Sequence, residues 1–201
     1  MASMRRLTLS EYDNEAQCWT PDSKAVIFQS RRNGQGRLFK QALDSDTEEP
    51  LFAGAGDITM DGCSVSPDGS WLFYNLKPRQ LMKIPMAGGT PQLLLTSHSS
   101  FPGWMPHCTV SPAKLCVLAE QSEEGKPIIF TSFDALKGRG QELARFETEP
   151  DAHYNWDLSP DGTRIAILKA GPGNGRIHIL SLNGQPPREV KVKGWDRLQS
   201  R

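Results

Sequence analysis

The chain of 201 residues carries 23 basic and 23 acidic side chains, so no net charge draws it towards nucleic acid or an anionic membrane surface. Its hydrophobic content of 37% is too high for a disordered chain, and its 18 glycines and 15 prolines are too many turn formers for a helical bundle. An all-β protein that binds no nucleic acid through this segment is the remaining expectation.

The N-terminal segment MASMRRLTLSEYDNE lacks the apolar core of a signal peptide. Apolar runs elsewhere reach only about four or five residues, far short of the ~18 that a membrane-spanning helix needs. These features predict a cytoplasmic segment without a membrane span, while a longer parent protein could supply an anchor or an export signal.

The four cysteines are Cys18, Cys63, Cys108 and Cys116, and they form no CxxC pair and no short spacing typical of zinc ligands. We therefore expect reduced, mostly buried thiols. Cys116 falls in a predicted strand, where its expected role is packing.

A repeat with a period near 46 residues runs through the chain. Its turn prolines are Pro21, Pro67, Pro112 and Pro160, in the segments CWTPDSKAVIF, CSVSPDGSWLFY, CTVSPAKLCVLA and WDLSPDGTRIAIL. Each repeat contains four short apolar runs separated by turn residues, which predicts four antiparallel strands. Four strands in about 45 residues are typical of one β-propeller blade.

The repeats are predicted to span residues 10–54, 55–99, 100–148 and 149–193. Residues 194–201 are predicted to begin a truncated fifth blade, because Gly194 and Trp195 resemble Gly103 and Trp104 before the third turn. The predicted fold class is all-β, a β-propeller of about four four-stranded antiparallel blades in a partial ring.

The combination of SPDG, an apolar strand and a closing GGTPQLLLT resembles the WD-like repeat of TolB-type β-propellers over almost the whole chain. The segment RRLTLSEYDNEAQCWTPDSKAVIFQSRRNG is similar to propeller regions of bacterial multidomain proteins that contain winged-helix regulators or Ser/Thr kinases. This chain contains neither a kinase motif nor a winged helix, so the resemblance implies a fold and neither of those activities.

The acidic residues of the repeated turn are Asp22, Asp68 and Asp161, and we interpret them as structural. Proline fixes φ, aspartate accepts backbone hydrogen bonds and glycine accepts a positive φ, so the geometry of the turn accounts for all three residue types. Ser23 replaces the glycine in the first repeat, and Ala113 and Lys114 replace Asp-Gly in the third. The third turn must therefore close by other means.

The loops before the third and fourth turns contain metal-ligand residue types, namely His98, His107, Cys108, Asp151 and His153. Their spacings match no compact metal motif, so no metal and no cofactor is predicted. The loops on this face of the blades instead predict an aromatic and basic binding rim. Its members are Arg31, Arg32, Lys77, Arg79, Trp104, His107, His153 and Tyr154. Trp156 is expected to fill space between blades.

The chain has no GxSxG nucleophile elbow, and its glycine-rich stretch 171–175 joins two predicted strands rather than a strand and a helix. We therefore predict a non-enzymatic module that recognises a protein or ligand, with a protein or peptide as the expected partner, within a larger bacterial regulatory or sensory protein. The alternative is a propeller that accompanies a serine peptidase domain encoded outside this chain. An adjacent GxSxG domain would favour the alternative, and an adjacent winged helix or kinase would favour the first prediction.

Overall fold

The computed structural model describes residues 6–8, 10–51, 58–76, 79–99, 101, 105–109, 112–123, 126–169 and 175–191. Within these ranges all regular secondary structure is β, in sixteen strands and four antiparallel sheets. The chain divides into two compact units, Met1–Thr96 and Ser97–Arg201, each with two sheets. The predicted fold of four-stranded antiparallel blades is confirmed. The predicted start of a fifth blade lies outside the described residues.

The first unit contains blades 1 and 2. Blade 1 consists of β1 (Asp13–Trp19), β2 (Ala25–Arg32), β3 (Gln35–Ala42) and β4 (Glu48–Pro50). Blade 2 consists of β5 (Ile58–Val65), β6 (Trp71–Leu76), β7 (Gln80–Pro85) and β8 (Gln92–Thr96). In both blades each strand pairs with the next one along the chain.

The second unit contains blades 3 and 4, which have the same strand order. Blade 3 consists of β9 (His107–Cys108), β10 (Cys116–Glu120), β11 (Ile128–Asp134) and β12 (Gly138–Phe146). Blade 4 consists of β13 (Tyr154–Leu158), β14 (Arg164–Lys169), β15 (Arg176–Ser181) and β16 (Arg188–Lys191).

Each blade has two ends, which we name by their connections. At the turn end the first strand turns into the second, and the third strand is followed by the connection to the fourth. At the loop end the first strand begins, and the second strand connects to the third. The repeated proline turns therefore lie at the turn ends. The loop ends carry the predicted rim residues Arg31, Arg32, Arg79, His153 and Tyr154.

Apolar side chains from both blades form the core of the first unit. Ile27 and Leu38 of blade 1 pack with Leu72, Tyr74 and Ile84 of blade 2, and all five are at most 2% exposed. Burial in this core raises the pKa of the Tyr74 hydroxyl to about 12, because the apolar surroundings disfavour the charged form. Second and third strands with several consecutive buried positions are expected for a sheet that is covered on both faces.

Trp156 of blade 4 occupies the core of the second unit. Its ring contacts the ring of His107 with centroids 4.3 Å apart and meets Phe130 edge-on at 5.2 Å. Ile165 and Ile167 of blade 4, both fully buried, belong to the same cluster. The predicted role of Trp156 as a filler between blades agrees with this position.

The cysteines correct the sequence-based expectation of reduced thiols, because all four are paired in disulfides. Cys18 of β1 is linked to Cys63 of β5, which joins the first strands of blades 1 and 2 across 45 residues of chain. Cys108 and Cys116 are directly opposite each other in the pairing of β9 with β10, and their disulfide closes an eight-residue separation.

The three acidic turns share one hydrogen-bond pattern. A hydroxyl two residues before the aspartate donates to its Oδ1, and the backbone amide two residues after it donates to the same atom. The hydroxyl bonds are Thr20 to Asp22 (2.7 Å), Ser66 to Asp68 (2.5 Å) and Ser159 to Asp161 (2.6 Å). The amide bonds come from Lys24 (3.0 Å), Ser70 (3.1 Å) and Thr163 (3.0 Å). Each carboxylate thus takes part in the hydrogen bonds of its own turn, and the structural role of the three aspartates stays a prediction.

The turn glycines of blades 2 and 4 meet two requirements at once. Gly69 and Gly162 have φ values of 73° and 71°, in the left-handed region that favours glycine. A Cβ atom on Gly69 would also lie 3.0 Å from Cγ of Pro21 in blade 1, and one on Gly162 would lie 3.0 Å from a methyl carbon of Thr109 in blade 3. Ser23 adopts the same backbone region in blade 1, with a φ of 58°.

The turn of blade 3 closes without an aspartate, and the Thr109 hydroxyl donates to a backbone carbonyl instead of a carboxylate. Its Oγ1 donates to the carbonyl oxygen of Ala113 at 2.9 Å and accepts a hydrogen bond from the amide of Leu115 at 3.0 Å. The hydroxyl is the common element of all four turns, since Ser66 Oγ likewise accepts from the amide of Trp71 in blade 2. The aspartate is therefore replaceable and the hydroxyl is retained.

Acid should weaken the turns that contain aspartate. Hydrogen bonds from Ser66 and Ser70 lower the pKa of Asp68 to about 2, and those from Ser159 and Thr163 lower the pKa of Asp161 to about 2, against an ordinary value of 3.8. Because the unfolded chain binds these protons more tightly, the stabilisation is complete above about pH 5 and is lost progressively as the pH falls towards about 2.

Between pH 5 and pH 2.5 the melting temperature of the double variant Asp68→Asn, Asp161→Asn should therefore fall less than that of the wild type. Both carboxylates are exposed, so we expect a difference of only a few degrees. Asp44→Asn, at an exposed position in the connection between β3 and β4, is the matched control. Equal pH slopes for the double variant and the wild type would contradict the assignment.

Candidate functional site

A polar recess of about 270 Å³ lies at the loop end of blade 1. Its lining residues are Asp13, Asn14, Glu15, Gln29 and Arg31. In the pairing of β1 with β2, Asp13 is opposite Arg31 and Glu15 is opposite Gln29, so the register brings acceptors and donors together. Arg31 is a predicted rim residue, and the other four were missed.

The connection between β2 and β3 is shorter than the sequence suggested. Asn33 and Gly34 form a two-residue hairpin turn with φ values of 52° and 75°, which is the backbone that an Asn-Gly turn favours. Arg31 and Arg32 consequently lie in β2 rather than in a loop.

Arg32 is committed to contacts within its own unit. Its guanidinium carbon lies 3.8 Å from the centroid of the Phe39 ring and 4.7 Å from that of Tyr12. The same group forms an ion pair with the carboxylate of Glu48 on β4. These contacts stabilise the face of blade 1 and hold the Arg32 side chain against its own unit.

In the second unit, His107 and Asp157 link the first strands of blades 3 and 4, and both residues lie next to the turn ends, two residues before Thr109 and Ser159. The imidazole Nδ1 lies 2.8 Å from Asp157 Oδ1, which also accepts a hydrogen bond from the amide of Leu158. The face of the His107 ring contacts Trp156. The pair is fixed by its neighbours, and about a third of the His107 side chain is exposed.

Two other predicted rim residues of this unit differ in exposure. His153 is exposed, whereas Tyr154 is buried. The Tyr154 hydroxyl accepts a hydrogen bond from the amide of Glu149, and its ring meets Phe146 edge-on at 5.4 Å. Tyr154 therefore serves packing, and His153 remains a rim candidate.

The remaining predicted rim residues are Arg79, Lys77 and Trp104. Arg79 is exposed in the turn between β6 and β7, with a φ of 55°. Lys77 and Trp104 lie outside the described residues. The rim as a whole remains a prediction. Arg31, Arg79 and His153 lie at loop ends, whereas His107 lies next to the turn end of blade 3.

Glu120 is the last residue of β10 and lies at the loop end of blade 3. Burial alone would raise the pKa of its carboxyl group, but Arg139 and Ser97 more than offset that effect, and the pKa lies below its usual value. Arg139 donates two hydrogen bonds to the carboxylate, at 2.7 and 2.6 Å, and Ser97 donates one at 2.8 Å. The carboxylate is thus held as an ionised structural group.

Among the described residues, no three His, Cys, Asp or Glu side chains are grouped closely enough to hold a metal ion. His98, His107, Cys108, Asp151 and His153 therefore form no such cluster there, and Cys108 is bonded to Cys116. A search of the same residues finds no helix that could cross a membrane.

The blades and their repeated turns define the chain as a protein with a β-propeller fold, all-β and built from four-stranded antiparallel blades. The structure is similar to TolB from Acinetobacter baumannii, with a TM-score of 0.66 at 17% identity over 93% of this chain and 45% of TolB. Oligogalacturonate lyase from Vibrio parahaemolyticus gives a TM-score of 0.65 at 16% identity, over 91% of this chain and 54% of the lyase. Puromycin hydrolase gives 0.62 at 14% identity, over 94% of this chain and 30% of the hydrolase.

No family model matches the sequence. An uncharacterized protein of Agrobacterium fabrum is 26% identical over 120 residues, which make up 58% of this chain and 35% of that protein. The chain thus spans about a third of the length of this curated relative and less than half of TolB. At these identities the similarity to TolB, to the lyase and to the hydrolase establishes the fold, and proteins with quite different activities share it.

Proposed function

We propose that this chain is a non-enzymatic recognition module of a larger bacterial regulatory or sensory protein, and that the loop ends of its blades bind a protein or peptide. The observation that carries the proposal is the recess lined by Asp13, Asn14, Glu15, Gln29 and Arg31. Its volume of about 270 Å³ is at the lower limit of small-molecule sites and suits one polar side chain of a partner.

The electrostatics favour binding over catalysis. Catalytic carboxyl groups are commonly tuned towards neutral pH by burial, whereas the pKa values of Asp22, Asp68, Asp161 and Glu120 are all lowered. Each of these four groups is held by hydrogen bonds that stabilise a turn or a strand end. This pattern supports structural carboxylates and a recognition role.

The second candidate is a propeller that accompanies a peptidase domain in the parent protein. The similarity to puromycin hydrolase favours this candidate, because the chain covers 30% of that protein and the remainder of the hydrolase is unmatched. In that case the loop ends would control the access of substrate to a neighbouring active site and would not select a binding partner. The parental reading frame would decide between the two through the presence of a GxSxG domain.

The cytoplasmic location stays a prediction, and the two disulfides weigh against it. Disulfides form and persist in oxidising compartments such as the bacterial periplasm, and they are rare in the cytoplasm of mesophiles.

The recognition proposal can be tested with peptides selected from a random phage-displayed library against the purified chain. We expect Arg31→Ala to weaken the selected peptides about tenfold in isothermal titration calorimetry, as expected for an interface hot spot. The matched control is Lys137→Ala, which removes one positive charge from an exposed position at the turn end of blade 3. Failure to select any peptide, or equal affinities for Arg31→Ala and Lys137→Ala at unchanged melting temperature, would refute the proposal.

A further inference from the structure

A groove of about 680 Å³ lies at the turn end of the first unit, on the opposite end from the recess. It runs between the first turn of blade 1 and the first turn of blade 2. Its lining includes Pro21, Asp22, Leu43, Asp44, Asp68 and Met86. This volume falls in the middle of the range that ligand-binding clefts occupy.

The turn geometry shapes the groove. Gly69 approaches Pro21 so closely that a Cβ atom would contact the proline ring, which brings the two turns together. Backbone hydrogen bonds fix two of the apolar lining residues, because the amide of Leu43 donates to the carbonyl of Lys24 and the amide of Met86 donates to that of Ser70. The groove is therefore built on ordered backbone rather than on free loops.

Apolar surface is exposed inside the groove. Leu43 is 42% exposed although the residue before it, Ala42, is the last residue of β3. Pro21 and Met86 add further apolar atoms to the lining. An exposed leucine in a cleft is an anchor point for an apolar side chain of a partner.

Negative charge surrounds this apolar surface. The carboxylates of Asp22, Asp44 and Asp68 line the groove together with two lysines. Lys40 is directed to Glu49 of β4, with its Nζ 3.4 Å from Oε2, and Glu49 is outside the lining. Lys24 lies close enough to Asp22 to stabilise its charge. Because Lys40 faces Glu49 and Lys24 faces Asp22, the net negative charge of the groove comes from the carboxylates of Asp44 and Asp68.

We infer that this groove docks a peptide segment of a partner protein in which an apolar side chain such as leucine is flanked by arginine or lysine. The apolar side chain would pack on Leu43 and Met86, and the basic side chain would approach Asp44 and Asp68. An anionic ligand such as a nucleotide or an acidic peptide is disfavoured by the same two carboxylates. This surface is independent of the loop ends and extends the proposed function to a second partner site.

The test uses three fluorescein-labelled peptides and fluorescence anisotropy with the whole chain. The probe is Gly-Ser-Arg-Leu-Arg-Gly-Ser, and its two controls replace both arginines by glutamate or the leucine by serine. We expect measurable binding of the probe, with each control at least tenfold weaker. Equal binding of the glutamate peptide, or no binding of the probe at 1 mM protein (on the order of −4 kcal/mol), would overturn the inference.

Variants of the chain locate the binding. Asp44→Lys should weaken the probe at least tenfold, and Asp46→Lys is the matched control, because it makes the same charge reversal in the same connection outside the groove lining. Leu43→Ser should weaken the probe at unchanged melting temperature. Arg31→Ala should leave the probe affinity unchanged, so the failure of one surface can be told from the failure of the other. Equal effects of Asp44→Lys and Asp46→Lys would assign the binding to general charge attraction and overturn the inference.

Discussion

Trp156→Ala is expected to lower the free energy of unfolding by about 3–5 kcal/mol, the range for removal of a large aromatic side chain from a packed core. The Trp156 side chain is 7% exposed and contacts His107 and Phe130 of blade 3 as well as the isoleucines of its own blade. Its removal would leave a cavity between two blades that rigid β-strands cannot fill by relaxation. Urea unfolding followed by tryptophan fluorescence and circular dichroism would measure the loss.

Trp19→Ala provides the matched control for this substitution. Trp19 also lies in the first strand of its blade, but it is 57% exposed, so we expect a change within about 0.5 kcal/mol. Similar losses at both positions would show that Trp156 does not have the packing role that the structure gives it.

Loss of the disulfide between Cys18 and Cys63 is expected to be comparably severe. In the chain-entropy treatment a crosslink across 45 residues stabilises the folded state by about 4 kcal/mol, because it restricts the unfolded chain. The double variant Cys18→Ser, Cys63→Ser should therefore unfold at a much lower urea concentration than the wild type. The disulfide between Cys108 and Cys116 closes a separation of only eight residues, and its removal should cost about 2.5 kcal/mol.

The expected order of the two double variants is the sharper part of this prediction. Intact mass measurement after thiol alkylation, without and with reduction, would first establish that all four cysteines are bonded. A chain that takes up alkylating reagent without reduction would contradict the pairing itself. A larger loss for the Cys108 and Cys116 variant than for the Cys18 and Cys63 variant would contradict the entropic account.

The repeat made the blades predictable from the sequence. The proline turns and the alternation of apolar and turn residues are local signals, and they determined the number of strands in each blade. The hydrogen-bond partners of Asp161 were predictable for the same reason, because an aspartate in a proline turn has partners within two residues on either side. Thr109 shows the limit of such local signals, since its hydroxyl reaches Leu115, six residues away, in a turn without the motif.

The spacing of the cysteines in the sequence does not by itself predict the disulfide between Cys18 and Cys63. Cys18 lies three residues before the proline of its turn and Cys63 lies four before its own, and the two are side by side because the first strands of adjacent blades are neighbours. Cys108 lies four residues before its turn proline, as Cys63 does, and nevertheless pairs with Cys116 in its own blade. A repeat position therefore suggests several pairings, and only the packing of the strands selects among them.

The candidate surfaces were the least predictable part. The sequence predicted a binding rim made of loops, whereas the recess uses side chains from paired strands, such as Glu15 and Gln29. Asn-Gly at 33–34 was a signal that could have placed Arg31 and Arg32 in a strand, because this dipeptide closes a hairpin by itself. The turn-end groove depends on the approach of Gly69 to Pro21, which are 48 positions apart in the chain and are brought together by blade packing.

The crosslink between Cys18 and Cys63 also has a mechanical consequence. If the parent protein transmits tension along this chain, the 45-residue segment that the disulfide encloses cannot be drawn out even after both blades have lost their hydrogen bonds. About 150 Å of contour length is withheld in this way, at roughly 3.4 Å for each extended residue. The withheld segment contains β2, β3, β4 and most of β5, whereas β6, β7 and β8 of blade 2 follow Cys63 and remain free to extend. The crosslink within blade 3 encloses only the short connection between β9 and β10.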